Sequence, residues 1–203
     1  NSIGMKLRVI PPGEFLMGST QAETDQLARS LEQGGASDYD KFVARMSGPQ
    51  HLVRLTKPYR LSECEVTVGQ YRQFIEATKH LSSMEQLGVK RFKWTDSVVE
   101  PNADQRAVIG VSWDDAKAFC KWPSEEEGRT YDLPSEAQWE FACRAGTTTA
   151  WHFGDNAAEL EKHAVFSRPS FWPAEVVASK AANPFGLFDM HGNADEWCLD
   201  WHD

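Results

Sequence analysis

The chain has 203 residues, a formal net charge of −9, 41% hydrophobic and 25% charged residues. That is enough chain to bury a sizeable core, with the balance of a globular protein. The acidic surplus argues against nucleic acid and anionic membrane as partners, since both call for a basic surface. No apolar run reaches the roughly 18 residues of a membrane span. No leader pattern opens the sequence at Asn1, no initiating Met is present, and the compartment stays open.

Taken in chain order, residues 5–10 read as a strand, and Pro11-Pro12-Gly13 turns into a second over 14–18. Residues 19–50 are polar with weak periodicity, which predicts a long loop carrying one helical stretch near 24–32. His51-Leu52-Val53-Arg54-Leu55 alternates, Lys57-Pro58 breaks it, and residues 59–63 follow, which predicts a hairpin. Three helices are marked by their starts. Thr67 and Gln70 form a capping box ahead of Val68, Tyr71, Phe74 and Ile75 on one face. Ser112 with Asp114 and Asp115 opens the second, which Pro123 should end or kink. Leu133-Pro134-Ser135 opens the third, closed by Gly146. Residues 147–203 read as aromatic-rich loop and short strand. A few helices with many short strands predict one irregular α+β domain of low regular secondary structure.

Four cysteines (Cys64, Cys120, Cys143, Cys198) lie far apart without a C-x-x-C, so buried thiols and disulfides both stay open. The histidines at 51, 80, 152, 163, 191 and 202 are dispersed, which favours surface or packed roles over metal ligation. No phosphate-binding glycine loop and no nucleophile elbow occurs. The run Ser124-Glu125-Glu126-Glu127 reads as a solvated helix end or loop.

The densest chemistry is near the end, in Asp189-Met190-His191-Gly192-Asn193-Ala194-Asp195-Glu196-Trp197. Asp189, Asn193, Asp195 and Glu196 offer side-chain oxygens, and Gly192 and Ala194 leave room for carbonyls to turn inward. Calcium takes six to eight such oxygens on a flexible loop, and the pattern is not that of an EF-hand. The rival reading is a hydrogen-bonded corner that buries Trp197.

Several segments together resemble the formylglycine-generating enzyme (sulfatase-modifying factor) family. They are Asn1-Ser2-Ile3-Gly4-Met5-Lys6-Leu7, Ile10-Pro11-Pro12-Gly13-Glu14-Phe15-Leu16-Met17-Gly18-Ser19, Glu65-Val66-Thr67, Val111-Ser112-Trp113, Leu133-Pro134-Ser135-Glu136-Ala137-Gln138-Trp139-Glu140, and Gly192-Asn193-Ala194-Asp195-Glu196-Trp197. The resemblance implies an α+β variant of the C-type lectin fold. It also implies oxidation of a cysteine in a Cys-x-Pro-x-Arg segment of a sulfatase-type polypeptide, using oxygen and copper(I) held by two cysteines. Structural calcium is implied too, carried over here as Asp189 and Glu196 by side chain and Gly192 and Ala194 by carbonyl. Asp189 stands where the family often has Asn, which keeps an oxygen and adds charge. A second family calcium loop would fall near 164–180, but His163-Ala164-Val165-Phe166-Ser167-Arg168 lacks its pattern and the site is not carried over.

The family's copper cysteines follow an Arg-Gly-Gly-Ser-Trp motif beyond Gly-Asn-x-x-Glu-Trp, and this sequence ends at Asp203 before any such motif. Cys120 and Cys143 match positions that form disulfides to later cysteines in secreted relatives, and Cys198 matches a non-catalytic one. The expectation is a scaffold with its C-terminal part absent, inactive as it stands and without copper ligands. The alternative is a non-catalytic, lectin-like module that binds protein or glycan. The sulfoxide synthases that share this domain carry an added iron-binding helical domain, which nothing here resembles.

Overall fold

The computed structural model describes residues 1–35, 37–91, 93–166 and 173–201. The chain divides into two compact units, one of residues 1–10 and 59–203 and one of residues 11–58.

The smaller unit holds β2 (Gly13–Met17), α1 (Gln21–Gln33), α2 (Asp38–Met46) and β3 (His51–Leu55). β2 and β3 are antiparallel, with Gly13 opposite Leu55 and Met17 opposite His51. Two helices thus stand where one helical stretch in a loop was expected. Their signals are reciprocal capping boxes, Thr20 with Glu23 and Ser37 with Asp40. Each box satisfies amide donors at a helix start that would otherwise be left unpaired. Both helices carry few apolar residues in a polar stretch, which is why periodicity missed one and shortened the other.

In the larger unit, β1 (Leu7–Ile10) pairs antiparallel with β4 (Tyr59–Ser62), Leu7 facing Ser62 and Ile10 facing Tyr59. The hairpin expected between residues 51–55 and 59–63 does not form, because each of those strands pairs with an earlier one. Pro58 lacks an amide hydrogen, and its fixed negative φ does not suit the primed two-residue hairpin turns, so alternation is satisfied by a distant partner instead.

α3 (Val68–Thr78) starts on the Thr67–Gln70 box and buries Val68, Tyr71 and Phe74. Its aromatic face meets Phe119 of α5 (Trp113–Glu127), with Tyr71 stacked on Phe119 at 6.0 Å and Phe74 edge-on to it at 5.7 Å. Ile3 and Trp94 complete this core. Pro123 does not end α5; the helix runs on to a left-handed Gly128. The Pro123 ring is fully buried, and Ser124 Oγ donates to the Cys120 carbonyl at 2.7 Å. Packing of the buried face outweighs the proline penalty of about 3 kcal/mol. The glutamate run at its end is not merely solvated, since Glu127 accepts from Ser2 N and Oγ at 2.7 Å each.

α4 (Ser83–Gln86) is tied to the start of α5 through Asp115, which accepts from His80 Nε2 at 2.8 Å, Ser83 N at 3.1 Å and Ser112 N at 2.9 Å. α6 (Glu136–Arg144) starts on the Ser135–Gln138 box and ends in a left-handed Ala145, one residue before the glycine expected to close it. Beyond it, the described residues hold only a 3-10 turn and the four-residue α7 (Leu160–His163) as helix. This is the irregular α+β architecture read from the sequence.

Candidate functional site

Two segments meet at the acidic loop. The first leaves β4 and presents Glu65. It is clamped, because Val108 N donates to Val66 O and Val68 N to Arg106 O, both at 2.9 Å. The second begins at Asn183, which is 4% exposed. Its Nδ2 donates to the Ala142 carbonyl at 2.7 Å, taking up a free acceptor at the end of α6. Its Oδ1 accepts from Phe185 N and Leu187 N at 2.9 and 3.1 Å, which folds the Asn-Pro-Phe-Gly turn. Phe188 N then donates to Glu63 O at 2.8 Å, bringing Asp189 beside Glu65. Asp189 and Asn193 both take positive φ, at 59° and 79°. Gly192 N donates to Asp189 O at 3.1 Å and Asn193 N to Val165 O at 2.8 Å. A Cβ on Gly192 would lie 2.1 Å from Val165 O, so only glycine fits there.

The electrostatics are those of uncompensated carboxylates. Glu65 is buried and its carboxyl is pushed well above the ordinary range, first by burial and then by the charges of Asp189 and Glu196. Asp189 is 2% exposed and raised by burial, against the bond from the Ala178 amide. Glu196 keeps solvent exposure as a residue. Its crowded carboxyl is nonetheless raised to about 7, by desolvation and then by Asp189, against the bond from Trp139. Asp189 Oδ2 accepts from Ala178 N at 2.6 Å and Glu65 Oε1 from Asn193 Nδ2 at 3.0 Å. The other oxygens, Asp189 Oδ1 and Glu65 Oε2, are buried without a hydrogen-bond partner. Among the described residues no ion pair reaches either group, whereas nearby Glu63 holds Lys6 at 3.2 Å and Arg8 at 2.8 Å.

These facts bear on the ligand set read from sequence. Asp189 offers its unpartnered Oδ1. Among the described residues the Gly192 and Ala194 carbonyls accept no hydrogen bond. Glu196 commits one oxygen to Trp139 Nε1 at 3.0 Å and keeps the other. Asn193 is spent: its Oδ1 accepts from Glu175 N at 2.7 Å and its Nδ2 serves Glu65. Asp195 is exposed. Among the described residues no three His, Cys, Asp or Glu side chains are grouped to hold a metal by themselves. A hard cation here would therefore draw on the two carbonyls, and the all-oxygen set suits calcium. Trp197 is half exposed rather than buried, donating to Val111 O at 3.0 Å. Sequence reasoning missed Glu65, whose neighbours gave no spacing signal, and Asn183, whose signal was an Asn-Pro turn. The family's other calcium loop falls partly on residues 167–172, and His202 also lies outside the described residues.

The thiols do not suit copper(I), which needs soft thiolate ligands in a pre-arranged geometry. All four cysteines are free. Burial is the first cause pushing Cys64 and Cys143 up to about 12 and Cys120 and Cys198 up to about 11, so none is a ready thiolate.

Three histidines that are dispersed in sequence come together. His152 packs on His191 with ring centroids 4.9 Å apart and on His163 at 5.0 Å. His152 N donates to His191 Nε2 at 3.3 Å, which assigns the ring proton to Nδ1, 3.7 Å from Cys143 Sγ. A metal on that Nδ1 would require a proton on Nε2, where the His152 amide already points. Burial, then the neighbouring histidines, holds His191 down to about 4. The cluster is a packing element.

An irregular α+β scaffold with a glycine-dependent acidic loop near its C-terminal end defines the class. The chain belongs to the family described as the sulfatase-modifying factor enzyme 1-like domain, which matches residues 5–203. It is 27% identical to the formylglycine-generating enzyme of Streptomyces coelicolor, covering 95% of this chain and 68% of that protein. It is 36% identical to the serine/threonine-protein kinase pkn1 of Chlamydia caviae, covering 95% of this chain but only 27% of that protein. It superimposes on PvdO of Pseudomonas aeruginosa with a TM-score of 0.71 and 25% identity, over 97% of this chain and 71% of that one. The chain thus spans about a quarter of the chlamydial relative's length.

Proposed function

We propose that this domain is a calcium-braced scaffold of the formylglycine-generating type, with Asp189 and Glu196 binding one calcium by side chain and Gly192 and Ala194 by carbonyl. One observation carries the reading: a fully buried Asp189 oxygen without a partner, in the same loop as two carbonyls that accept no hydrogen bond among the described residues. Burying an uncompensated carboxylate costs several kcal/mol, and a divalent cation would repay that cost. The cation's role is structural, since it joins the loop to Trp139 of α6 through Glu196.

Family membership supports a polypeptide as the thing handled, and a sulfatase-type Cys-x-Pro-x-Arg segment as its chemistry. The copper(I) oxidation itself needs a thiolate pair that Cys64, Cys120, Cys143 and Cys198 do not supply. These residues therefore contribute frame and surface rather than the redox centre. A second reading, a non-catalytic lectin-like module for protein or glycan, is favoured by exposed aromatics. Trp197 is 50% and Trp201 79% exposed, with Trp201 5.4 Å from Trp113.

Thermal unfolding with calcium and with chelator tests the proposal. A cation at about 100 times its dissociation constant adds about 2.7 kcal/mol, which for a chain of this size raises Tm by about 5–10 °C. Asp189→Ala and Glu196→Ala should abolish the rise. An unchanged Tm in the parent protein contradicts the site.

A further inference from the structure

Resting on the second reading above, that of a binding module, we propose that Trp113, Trp197 and Trp201 form a docking platform for an arginine-bearing polypeptide segment. The guanidinium groups are what it recognises, and no cysteine in the partner is needed.

Three segments distant in sequence build the platform, and hydrogen bonds fix it. Trp113, at the start of α5, donates from Nε1 to Cys198 O at 2.9 Å, and Trp197 donates from Nε1 to Val111 O at 3.0 Å. Leu199 N donates to Pro134 O at 2.8 Å, and Glu136 N, at the start of α6, donates to Asp200 Oδ2 at 2.6 Å. Both indole N–H groups are therefore spent on backbone carbonyls, and what remains to offer a partner is ring surface. Trp201 lies 5.4 Å from Trp113, and Trp197, Leu199 and Trp201 are all exposed. Exposed apolar side chains scattered singly need no explanation, whereas three within five residues, rimmed by polar groups, mark an interaction surface. A surface fixed before binding also spares the partner part of the ordering cost.

Charge selects the partner. Residues 111–117, 132–139 and 195–201 carry Asp114, Asp132, Glu136, Asp195, Glu196 and Asp200 as exposed acids, against Lys117 as their one basic residue. Lys117 is paired with Asp132, and its Nζ stands 5.5 Å from the centroid of the Trp113 ring. The fold thus already sets one cation on this aromatic group. Among the described residues no ion pair reaches the other five acids, and no cation lies over Trp201. A guanidinium answers both features, because its plane stacks on an indole face while its fork of donors reaches a carboxylate. A second copy of this chain would set acid against acid, and a neutral glycan would make no use of the charge.

Titration calorimetry on the parent protein with a capped Gly-Arg-Gly-Arg-Gly peptide, its citrulline counterpart and cellohexaose decides the matter. The arginine peptide should bind, the uncharged citrulline peptide should not, and raising NaCl from about 50 to about 500 mM should weaken the binding. Trp201→Ala should weaken it about 3- to 30-fold, and Glu136→Gln about 2- to 5-fold. Trp201→Phe keeps a ring and should fall between parent and Trp201→Ala, which covers the case in which alanine loosens the segment. Equal binding of the citrulline peptide, or unchanged affinity in Trp201→Ala, overturns the inference. So does a dimer of the parent that Trp201→Ala abolishes, which gives the surface to a second copy. Binding of cellohexaose without binding of the arginine peptide overturns it while leaving the binding-module reading intact. Silence toward every probe overturns both.

Discussion

Asn193 Nδ2 donates to Glu65 Oε1 over 3.0 Å, a bond that joins two positions 128 residues apart in the chain. The same side chain accepts from Glu175 N at 2.7 Å, so one amide ties three segments together at the edge of the acidic loop. Asn193→Ala removes a donor from a buried carboxylate and the acceptor used by the Glu175 amide. Leaving a buried donor or acceptor unsatisfied costs about 1–3 kcal/mol. Chemical denaturation in chelator should therefore show a loss of about 2–4 kcal/mol, and a change below about 0.5 kcal/mol would mean the Asn193 bridge carries nothing.

Gly192 is a purely steric requirement. Its Cβ in Gly192→Ala would sit 2.1 Å from the Val165 carbonyl oxygen, a backbone atom that cannot swing aside. The loop must move to admit it, at a cost of about 3 kcal/mol or more by the scale of core overpacking. The calcium-dependent rise in Tm should vanish with it. A variant of parental stability would show that the close approach to Val165 is dispensable.

The capped starts of α3, α5 and α6 were legible because each is a local pattern: a cap, an acceptor three residues on, and an apolar face. The loop was legible as oxygen-rich for the same reason. What the sequence did not carry is which distant segment each pattern meets. Residues 51–55 and 59–63 alternate equally well for a hairpin or for the partners they take, β2 and β1. Glu65 stands in the Glu65-Val66-Thr67 segment that marks the family, but nothing in that segment places it at the loop until Asn193 reaches it. Asn193 looks like a ligand until the Glu175 amide occupies its oxygen. The histidines at 152, 163 and 191 have no periodic relation, and only the chain path stacks them.

Acid should release the Asp115 node. Burial pushes the pKa of this carboxyl up, but bonds from His80, Ser112 and Ser83 outweigh it and hold it below its ordinary value of 3.8. A carboxylate with a depressed folded pKa stabilises fully above its unfolded value and loses that contribution as pH falls through the folded one. Asp115→Asn keeps one acceptor but not the charge, and should cost about 1.5–3 kcal/mol at pH 7. The parent–variant gap should close as pH falls below the unfolded value. A gap that persists unchanged into acid would show that the carboxylate's charge is not what these donors recognise.

The cysteines should be inert. With thiols raised to between about 11 and about 12, the thiolate fraction near neutral pH falls far below that of a free cysteine near 8.5. Labelling by a thiol reagent at pH 8 should be slower in the folded protein than in denaturant by on the order of 100-fold or more. Incubation with copper(I) and a Cys-x-Pro-x-Arg peptide should leave the peptide's mass unchanged. A rapidly labelled native thiol, or peptide aldehyde, would contradict the assignment of these residues to frame rather than redox centre.

Terbium offers the most direct test of the acidic loop, because the Trp139 indole hydrogen-bonds the Glu196 carboxylate at 3.0 Å and stands ready to sensitise a bound lanthanide. Excitation of tryptophan in the parent protein should give terbium emission that saturates at one ion per chain, is displaced by calcium, and is lost in Asp189→Ala. Emission that never rises above free terbium, or that survives Asp189→Ala undiminished, would contradict a cation at this loop.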